Sequence, residues 1–412
     1  MTAPSVATAG VPCAFFDDAR GVIAPLADLR ASFDIRTAAL TTFDRLTRIL
    51  NLEPIALFVP SSISALVAQE HPGLPINTLP PCDDQDAILL INGRCVLPLD
   101  VLVDLEPGQA AVEERSGDLI AARLARGRAA RLLAGDPSNL DMIAVHDPVL
   151  LRRPWEIITF RDRALSLDLN VLLSGQGADL SNLAIVAGEY PLRVHPSARV
   201  FPGAMFDLSK GPIVIDDGAE LRPGAIIIGP AYIGPSSVVT EHGVIRSNTA
   251  VGPVCKVGGE VTGAVFQGWS NKAHEGFLGD SWVGAWVNLG AGTITSNLLN
   301  TYTEISSVAD AGLSRERTGL QFFGSVLADH VKTAISTRLM GGSIVHTGAM
   351  WAASRALSDC VGRFAWVTDA GSRLFRLPRF METMEAMMAR RAMQPSPAYR
   401  ALIEQLHQDA GA

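Results

Sequence analysis

From Ile215 onward an aliphatic residue recurs at every sixth position: Ile215, Leu221, Ile227, Ile233, Val239, Ile245, Val251 and Val257. A helix repeats near 3.6 residues and a strand at two, so neither produces this spacing. A period of six fits a prism of short parallel strands, each hexad sending one aliphatic side chain inward. The residues between are corner formers: Pro223-Gly224, Gly229-Pro230, Gly234-Pro235, Gly252-Pro253 and Gly258-Gly259. Glycine reaches positive φ without strain, and proline fixes its own φ.

The rhythm begins at Val194 and Val200 and shifts phase near 206–211. It resumes at Phe277, Val283 and Leu289, then at Leu327, Leu339 and Val345. The breaks near 262–276 and 296–322 read as loops leaving the coil, and loops on a rigid scaffold are where sites are built. Before the repeat, short apolar runs alternate with helical stretches, which predicts an α/β unit with a mainly parallel sheet. Its pieces are Pro12–Phe16, Ile55–Val59 and Ala87–Ile91 as strands, with a hairpin at Ser116-Gly117. Helices are expected at Thr37–Leu50, Ser61–Gln69, Arg123–Leu133 and Pro154–Leu172. Gln176–Pro191 reads as a linker. Beyond the coil, Gly371–Pro378 reads as irregular, and Phe380–Arg391 and Ala398–His407 as amphipathic helices packing on the coil or on a neighbour. The domains expected are 1–180 (α/β), 190–370 (β-helix) and 371–412 (a C-terminal helical extension).

Composition narrows the partners. A net charge of −8 over 412 residues offers no broad field for nucleic acid or an anionic membrane, so a phosphorylated ligand needs a local basic site. No apolar run reaches the ~18 residues of a membrane span. Five scattered cysteines, none in a C-x-x-C pair, indicate neither a disulfide framework nor a zinc site. A cytoplasmic location is expected.

Chemistry concentrates in two blocks, Ser270-Asn271-Lys272-Ala273-His274-Glu275-Gly276-Phe277-Leu278-Gly279-Asp280 and Asn288-Leu289-Gly290-Ala291-Gly292-Thr293-Ile294-Thr295-Ser296-Asn297. They resemble the acetyltransferase half of the bifunctional enzymes that acetylate glucosamine 1-phosphate and then transfer uridylyl to it, with K-A-x-H-x-x-Y-L-G-D and N-I-G-A-G-T-I-T-x-N. A closer resemblance over almost the whole chain is to a divergent, GlmU-like branch of sugar nucleotidyltransferases, with F-D-D-x-x-R, S-N-K-x-H-x-G-F-L-G and N-L-G-A-G-T segments. The resemblance implies left-handed winding, which the period alone does not, and a homotrimer with shared sites.

It further implies His274 as the base that accepts the proton of the attacking amine, a task suited to neutral imidazole. Asn288 and Asn297 align with sugar-contacting asparagines, Arg246 with an arginine on the substrate phosphate, and Ala291, beside Gly292, with the acyl-CoA contact. A family lysine is missing near Thr262–Ala264, where Lys256 or Lys272 could substitute. A family serine falls at Ile335, beside Ser336 and Thr337. The family tyrosine is Phe277, and a lysine after Asn297 is absent. Structural readings stand beside these: a corner histidine, turn asparagines, a solvated arginine. Three histidine ligands for zinc, as in some β-prism proteins, are not spaced here, and no metal ligand is assigned. Asp329-His330-Val331-Lys332 reads either as facing the CoA phosphates or as an exposed corner.

The nucleotidyltransferase resemblance implies a G-x-G-T-x-x-R-x-x-P-K phosphate loop and a carboxylate for Mg²⁺ in the expected α/β domain. The sequence instead has Phe16-Asp17-Asp18-Ala19-Arg20-Gly21, and Asn92-Gly93-Arg94 where the metal carboxylate is expected. Arg20 could meet phosphate, and Asn92 is the second nucleotide-binding candidate.

The expected function is acyl (acetyl) transfer from CoA to the nitrogen of an amino-sugar phosphate or nucleotide-amino sugar, with nucleotidyl transfer as a second activity. The alternatives are a nucleotidyltransferase trimerised by its prism, and a non-catalytic scaffold. Expected partners are acyl-CoA and a sugar phosphate or nucleotide sugar. Four aromatics, Trp269, Trp282, Trp286 and Phe277, read as an exposed patch at a trimer interface; the competing reading buries them under other parts of the same chain.

Overall fold

The computed structural model describes residues 10–81, 87–136, 139–175, 177–178 and 184–411. Cys82 and residues 176 and 179–183 of the expected linker lie outside them, and the linker's Ala184–Gly188 is instead a strand of the coil, paired with Ala204–Leu208. The chain divides into two compact units. The first comprises residues 1–20, 31–34 and 42–150; the second comprises 21–30, 35–41 and 151–412.

In the first unit β1 (Val11–Phe16), β2 (Leu52–Phe58), β3 (Ala87–Asn92), β4 (Gln109–Glu113), β5 (Leu119–Ala125) and β6 (Asp141–Val145) form one sheet in the order β2-β1-β3-β5-β4-β6. β1 is parallel to β2 and β3, whereas β5 runs antiparallel to both β3 and β4. The sheet is therefore mixed rather than nearly all parallel. The β4–β5 pair is the hairpin expected around Ser116-Gly117. Helices α1 (Thr42–Ile49), α2 (Ser61–Glu70), α3 (Val101–Asp104) and α4 (Arg126–Leu133) accompany it. The expected helix at 37–50 starts only at Thr42, and residues 123–125 belong to β5 rather than to α4. Fully buried Ala14, Leu90, Ala110 and Ala122 show why β1, β3, β4 and β5 are apolar: they line one core.

The second unit is built on a left-handed parallel β-helix. One of its faces is a nine-stranded parallel sheet that includes Ile213–Ile215, Ala231–Ile233, Thr249–Val251, Val265–Gly268 and Trp282–Ala285. All eight hexad residues from Ile215 to Val257 are completely buried. Register explains the period: Ile215 pairs with Ile233, and Ile233 with Val251, so each turn of the coil consumes three hexads. Pro230 apart, every sixth residue at a set of corners takes positive φ: Gly218, Gly224, then Ser236, His242, Asn248 and even β-branched Val254 at +55°. That conformation is costly for valine, yet the rungs above and below fix the corner.

The two expected loops come out differently. Residues 262–276 stay in the coil as strands Val265–Gly268 and Asn271–Lys272. The turn is shortened there: Val251 pairs with Phe266 and Val257 with Lys272, half a hexad earlier than a full turn would bring them. Lost residues break a six-residue phase as thoroughly as an inserted loop does. In the same stretch Leu278, not Phe277, takes the inward place opposite Val261. The second break is a true excursion, with an antiparallel pair, Ser306–Ser307 and Glu316–Arg317, between Ser296 and Phe322.

The aromatic patch is not exposed. Trp282 is fully buried and Trp286 is 5% exposed. Segments 21–30 and 35–41 cover this side of the coil within the same unit. Trp282 Nε1 donates to the Arg36 carbonyl at 3.1 Å, and the Arg30 guanidinium lies 5.9 Å from the Trp282 ring centre. Trp269 stacks on Trp286 at 5.8 Å. Phe206, Phe266 and Trp351 even occupy the coil interior, which is wider than a purely aliphatic core requires. Helix α5 (Glu156–Leu172) also packs here: Arg161 donates to the Gly263 carbonyl at 2.6 Å and to Asp280 at 2.7 Å.

At the far end Gly371–Leu374 forms a hairpin with Ala365–Thr368, where irregular chain was expected. Helices α6 (Leu377–Ala389) and α7 (Pro397–Gly411) follow. The buried face of α6 is Phe380, Met384 and Met388, and Phe380 meets the Phe364 ring edge-on at 4.9 Å. The amphipathic tail therefore packs on its own coil.

Candidate functional site

His274 lies at the corner between strands Asn271–Lys272 and Phe277–Gly279, and its side chain is exposed. Parallel stacking places the same corner of later turns directly above it. The Gly292 N–H donates to the Glu275 carbonyl at 3.1 Å, and the Ser336 N–H to the Ala291 carbonyl at 2.7 Å. Three rungs of backbone thus bring His274, Ala291, Gly292 and Ser336 into one column. Gly292 has φ +71°, and a Cβ there would meet Ser336 Oγ at 3.3 Å, so glycine keeps the column open.

A cavity of about 680 Å³ runs along this column, lined by Thr240, Glu241, Lys256, Gly259, Asn271, Ala273, His274, Glu275, Asn288, Leu289, Gly290, Ala291, Ile335, Arg390 and Arg391. Exposed Asn288 forms its side: Asn271 Nδ2 donates to Asn288 Oδ1 at 3.4 Å, and Arg391 Nη2 to Asn271 Oδ1 at 2.9 Å. A second cavity of about 300 Å³ shares Asn271, Asn288, Arg390 and Arg391 and adds Trp269, Trp286 and Lys332. Arg390 and Arg391, at the end of α6, read in the sequence only as part of a packing helix. Their signal is a pair of arginines closing an amphipathic segment in an acidic chain.

The other candidates are placed elsewhere. Lys272 occupies an inward position, opposite Val257 in the ladder, and is 2% exposed. Its ammonium donates to the carbonyls of Gly258 (3.0 Å) and His274 (2.5 Å), which fixes the histidine corner from inside. Burial pushes its pKa down to about 8. Arg246 and Asn297 lie at the opposite end of the strands that His274 precedes. Arg246 pairs with Glu260 at 2.6 Å, half-exposed. Asn297 Nδ2 donates to Asp280 at 2.7 Å, whose other oxygen accepts from Arg161. Of the segment Asp329–Lys332, Asp329 and His330 are buried and line neither cavity, whereas Lys332 lines the second. Asp329 is completely buried against Arg30 at 2.7 Å, and His330 bonds Tyr399 at 2.6 Å. Burial depresses the His330 pKa strongly.

In the α/β unit the acids after β1 meet the residues after β3. Arg94, with no side-chain exposure, donates to Asp18 at 2.6 Å and to Asp118 at 2.8 Å. Asn92 is fully buried, its amide nitrogen giving 2.8 Å bonds to Asp18 and the Leu119 carbonyl, its oxygen taking the Arg94 N–H. Asp17 accepts the N–H groups of Ala19 and Ser32. The guanidinium therefore stands between two carboxylates where a divalent cation would bridge them, and the set does not fit Mg²⁺. The Asn92 side chain has no polar atom left for a nucleotide. Arg20 is 66% exposed, with one nitrogen on Asp118 at 3.0 Å, and keeps donors facing solvent.

The structure thus joins an α/β unit to a hexapeptide coil that carries a histidine corner. Residues 13–176 match the family of sugar nucleotidyl transferases. The chain is similar to the bifunctional protein GlmU of Acaryochloris marina, 28% identical over 33% of this chain and 32% of that one. It is also similar to the bifunctional sugar-1-phosphate nucleotidylyltransferase/acetyltransferase of Sulfurisphaera tokodaii, 31% identical over 32% of this chain and 33% of that one. The chain thus spans about a third of the length of these relatives. Among solved structures, the acetyltransferase domain of PglB from Neisseria gonorrhoeae in complex with acetyl coenzyme A matches 65% of this chain and all of that one. Its 11% identity and TM-score of 0.18 bear no weight.

Proposed function

We propose that the coil is a CoA-dependent N-acyltransferase, with acetyl-CoA as the simplest donor, acting on an amino-sugar phosphate or a nucleotide-linked amino sugar. One observation carries this reading: an exposed imidazole, His274, opens into a cavity of about 680 Å³ that also holds Asn288, Ala291 and two arginines. The amine attacks the thioester carbonyl, the C–S bond breaks, CoA leaves as the thiol and the amide forms. A neutral imidazole takes the proton the nitrogen must lose, a contribution of about 10²–10⁴ in rate. Asn288 can both donate and accept towards sugar hydroxyls. Arg390 and Arg391 suit the phosphates of CoA, and the small residues at Gly290-Ala291-Gly292 admit a pantetheine arm.

Arg246 and Asn297 sit at the other corner of the coil. A homotrimer with sites shared between copies would unite both sets, so the trimer remains part of this proposal although the aromatic patch no longer supports it. No helix among the described residues is long and apolar enough to cross a membrane, and an acyl-CoA donor fits a cytoplasmic enzyme. The test is release of CoA thiol from acetyl-CoA with a panel of amino-sugar phosphates and nucleotide-amino sugars. Release that depends on a free amine in the acceptor supports the reading; none with any acceptor refutes it.

The second reading, sugar-1-phosphate nucleotidyl transfer by the first unit, is favoured by the family match over residues 13–176. The closed Arg94 cluster weighs against a Mg²⁺-dependent form of it, and Arg20 is the group best placed for a phosphate.

A further inference from the structure

Among the described residues, one group of three potential ligand side chains lies apart from the cavity: Asp310, His346 and Cys360, whose donor atoms all fall within 4.8 Å of one another. We propose that these three hold one Zn²⁺-class ion that clamps the 296–322 excursion onto the coil.

The coil supplies two of the ligands on adjacent rungs. His346 follows strand Ser343–Val345 and Cys360 opens strand Cys360–Val361, with Ile344 paired to Cys360 and the His346 N–H on the Val361 carbonyl at 2.9 Å. The third, Asp310, comes from the excursion, 3.4 Å from His346 Nε2. Tetrahedral zinc with nitrogen, oxygen and sulfur ligands needs separations of roughly 3.3–3.8 Å. The Asp310–His346 pair already meets this, and with all three donor atoms within 4.8 Å the set closes by shifts of about 1 Å.

His346 itself points to a ligand. It is completely buried, and neither ring nitrogen has a hydrogen-bond partner. Its polar neighbours are the Ala309 backbone, which favours the protonated ring, and Asp310 Oδ1 at 3.4 Å from Nε2. Native structures rarely bury such a group without a water or an ion. Charge agrees. The charged groups acting on His346 are Asp28, Asp310 and Arg363, which leave one net negative charge. A divalent cation that displaces the Cys360 proton to solvent adds one positive charge overall and brings the group to neutrality. Asp28 holds Arg363 through bonds of 2.8 and 2.9 Å, and the Arg363 Nη1 lies 3.9 Å from Asp310 Oδ2, a long ion pair that Asp310 would exchange for the metal. The mixed imidazole, thiolate and carboxylate set selects zinc, or cobalt in its place, over magnesium or calcium.

The clamp has a structural consequence. The excursion begins at the Asn297 corner and carries Arg315 just before its second strand and Arg317 within it. Holding it at Asp310 shortens its free span and steadies that corner.

The test uses the full purified chain. Metal analysis is expected to find one equivalent of zinc per chain. Cobalt(II) substitution is expected to give a thiolate-to-cobalt charge-transfer band that disappears in Cys360→Ser and weakens in Asp310→Asn, both at partly exposed sites. Cys255→Ser, in the coil interior, should leave the band unchanged. Trypsin should cut at Arg315 and Arg317 at least several-fold faster after metal removal. No band at one equivalent of cobalt, or equal metal content in wild type and Cys360→Ser, would overturn the site. A band without altered cleavage would overturn the clamp.

Discussion

The two units treat their polar residues in opposite ways. In the coil, His274, Asn288 and Arg391 line open space and keep donors and acceptors for something that is not protein. In the α/β unit, Asp18, Asn92, Arg94 and Asp118 satisfy one another, with Arg94 sealed from solvent. Yet it is the α/β unit that matches a family model. Resemblance and open chemistry fall in different parts of the chain: the acids after β1, inside the matched stretch 13–176, are paired with an arginine, and the histidine corner of the coil is where the proposed reaction would run.

The sharpest way to break this contrast is His274→Ala. The histidine is an exposed corner residue, so the fold should survive, while acyl transfer falls about 10²–10⁴-fold. Near-wild-type turnover of a folded variant would remove His274 as the base.

Arg94→Ala probes the other side. Deleting a buried guanidinium leaves Asp18 and Asp118 facing each other, and such losses cost about 3–5 kcal/mol. Thermal unfolding should show the α/β unit melting earlier, with the coil's acyl transfer kept below its melting point. An unchanged melting temperature would mean the cluster is less closed than its geometry indicates.

Lys272 sharpens the comparison through pH. Its pKa is about 8 in the folded chain against 10.5 for an ordinary lysine. Below pH 8 both folded and unfolded states carry the proton. Between 8 and 10.5 the unfolded chain binds more protons, so folding stability rises with pH in that window. Relative to Lys272→Met, the wild type should gain stability from pH 7 to pH 10, by no more than about 3 kcal/mol. A difference that does not move with pH would contradict the buried placement. The smallest effect is expected at the cavity rim. Arg391→Ala should raise KM for acyl-CoA roughly tenfold, as loss of one charge-assisted hydrogen bond does, with kcat little changed.

Much of the coil was legible because its period is local: Ile215 to Val257 repeat without error, and each is buried. Phe277 misled because the shortened turn at 258–272 changed the phase silently, and a sequence cannot tell lost residues from an inserted loop. His274, Ala291, Gly292 and Ser336 were named by resemblance alone; that they stack in one column needed the structure, because the 296–322 excursion lies between Gly292 and Ser336. Lys272 defeated the reading because its position on the rung faces inward. Trp282 and the Asp329-His330 pair were misplaced because their partners include Arg30, Arg36 and Tyr399, none of them nearby in the chain. No local pattern announces such contacts. In the α/β unit the lack of a metal carboxylate was visible from Asn92 and Arg94. That Arg94 would bridge Asp18 and Asp118 required Asp118, on the far side of a hairpin.

The most direct measurement follows CoA thiol and pyrophosphate together in one reaction containing acetyl-CoA, a nucleoside triphosphate and amino-sugar phosphates, with and without EDTA. The expected result is CoA release that survives EDTA and is lost in His274→Ala, with little or no Mg²⁺-dependent pyrophosphate. Robust, EDTA-sensitive pyrophosphate release with no CoA thiol would contradict it.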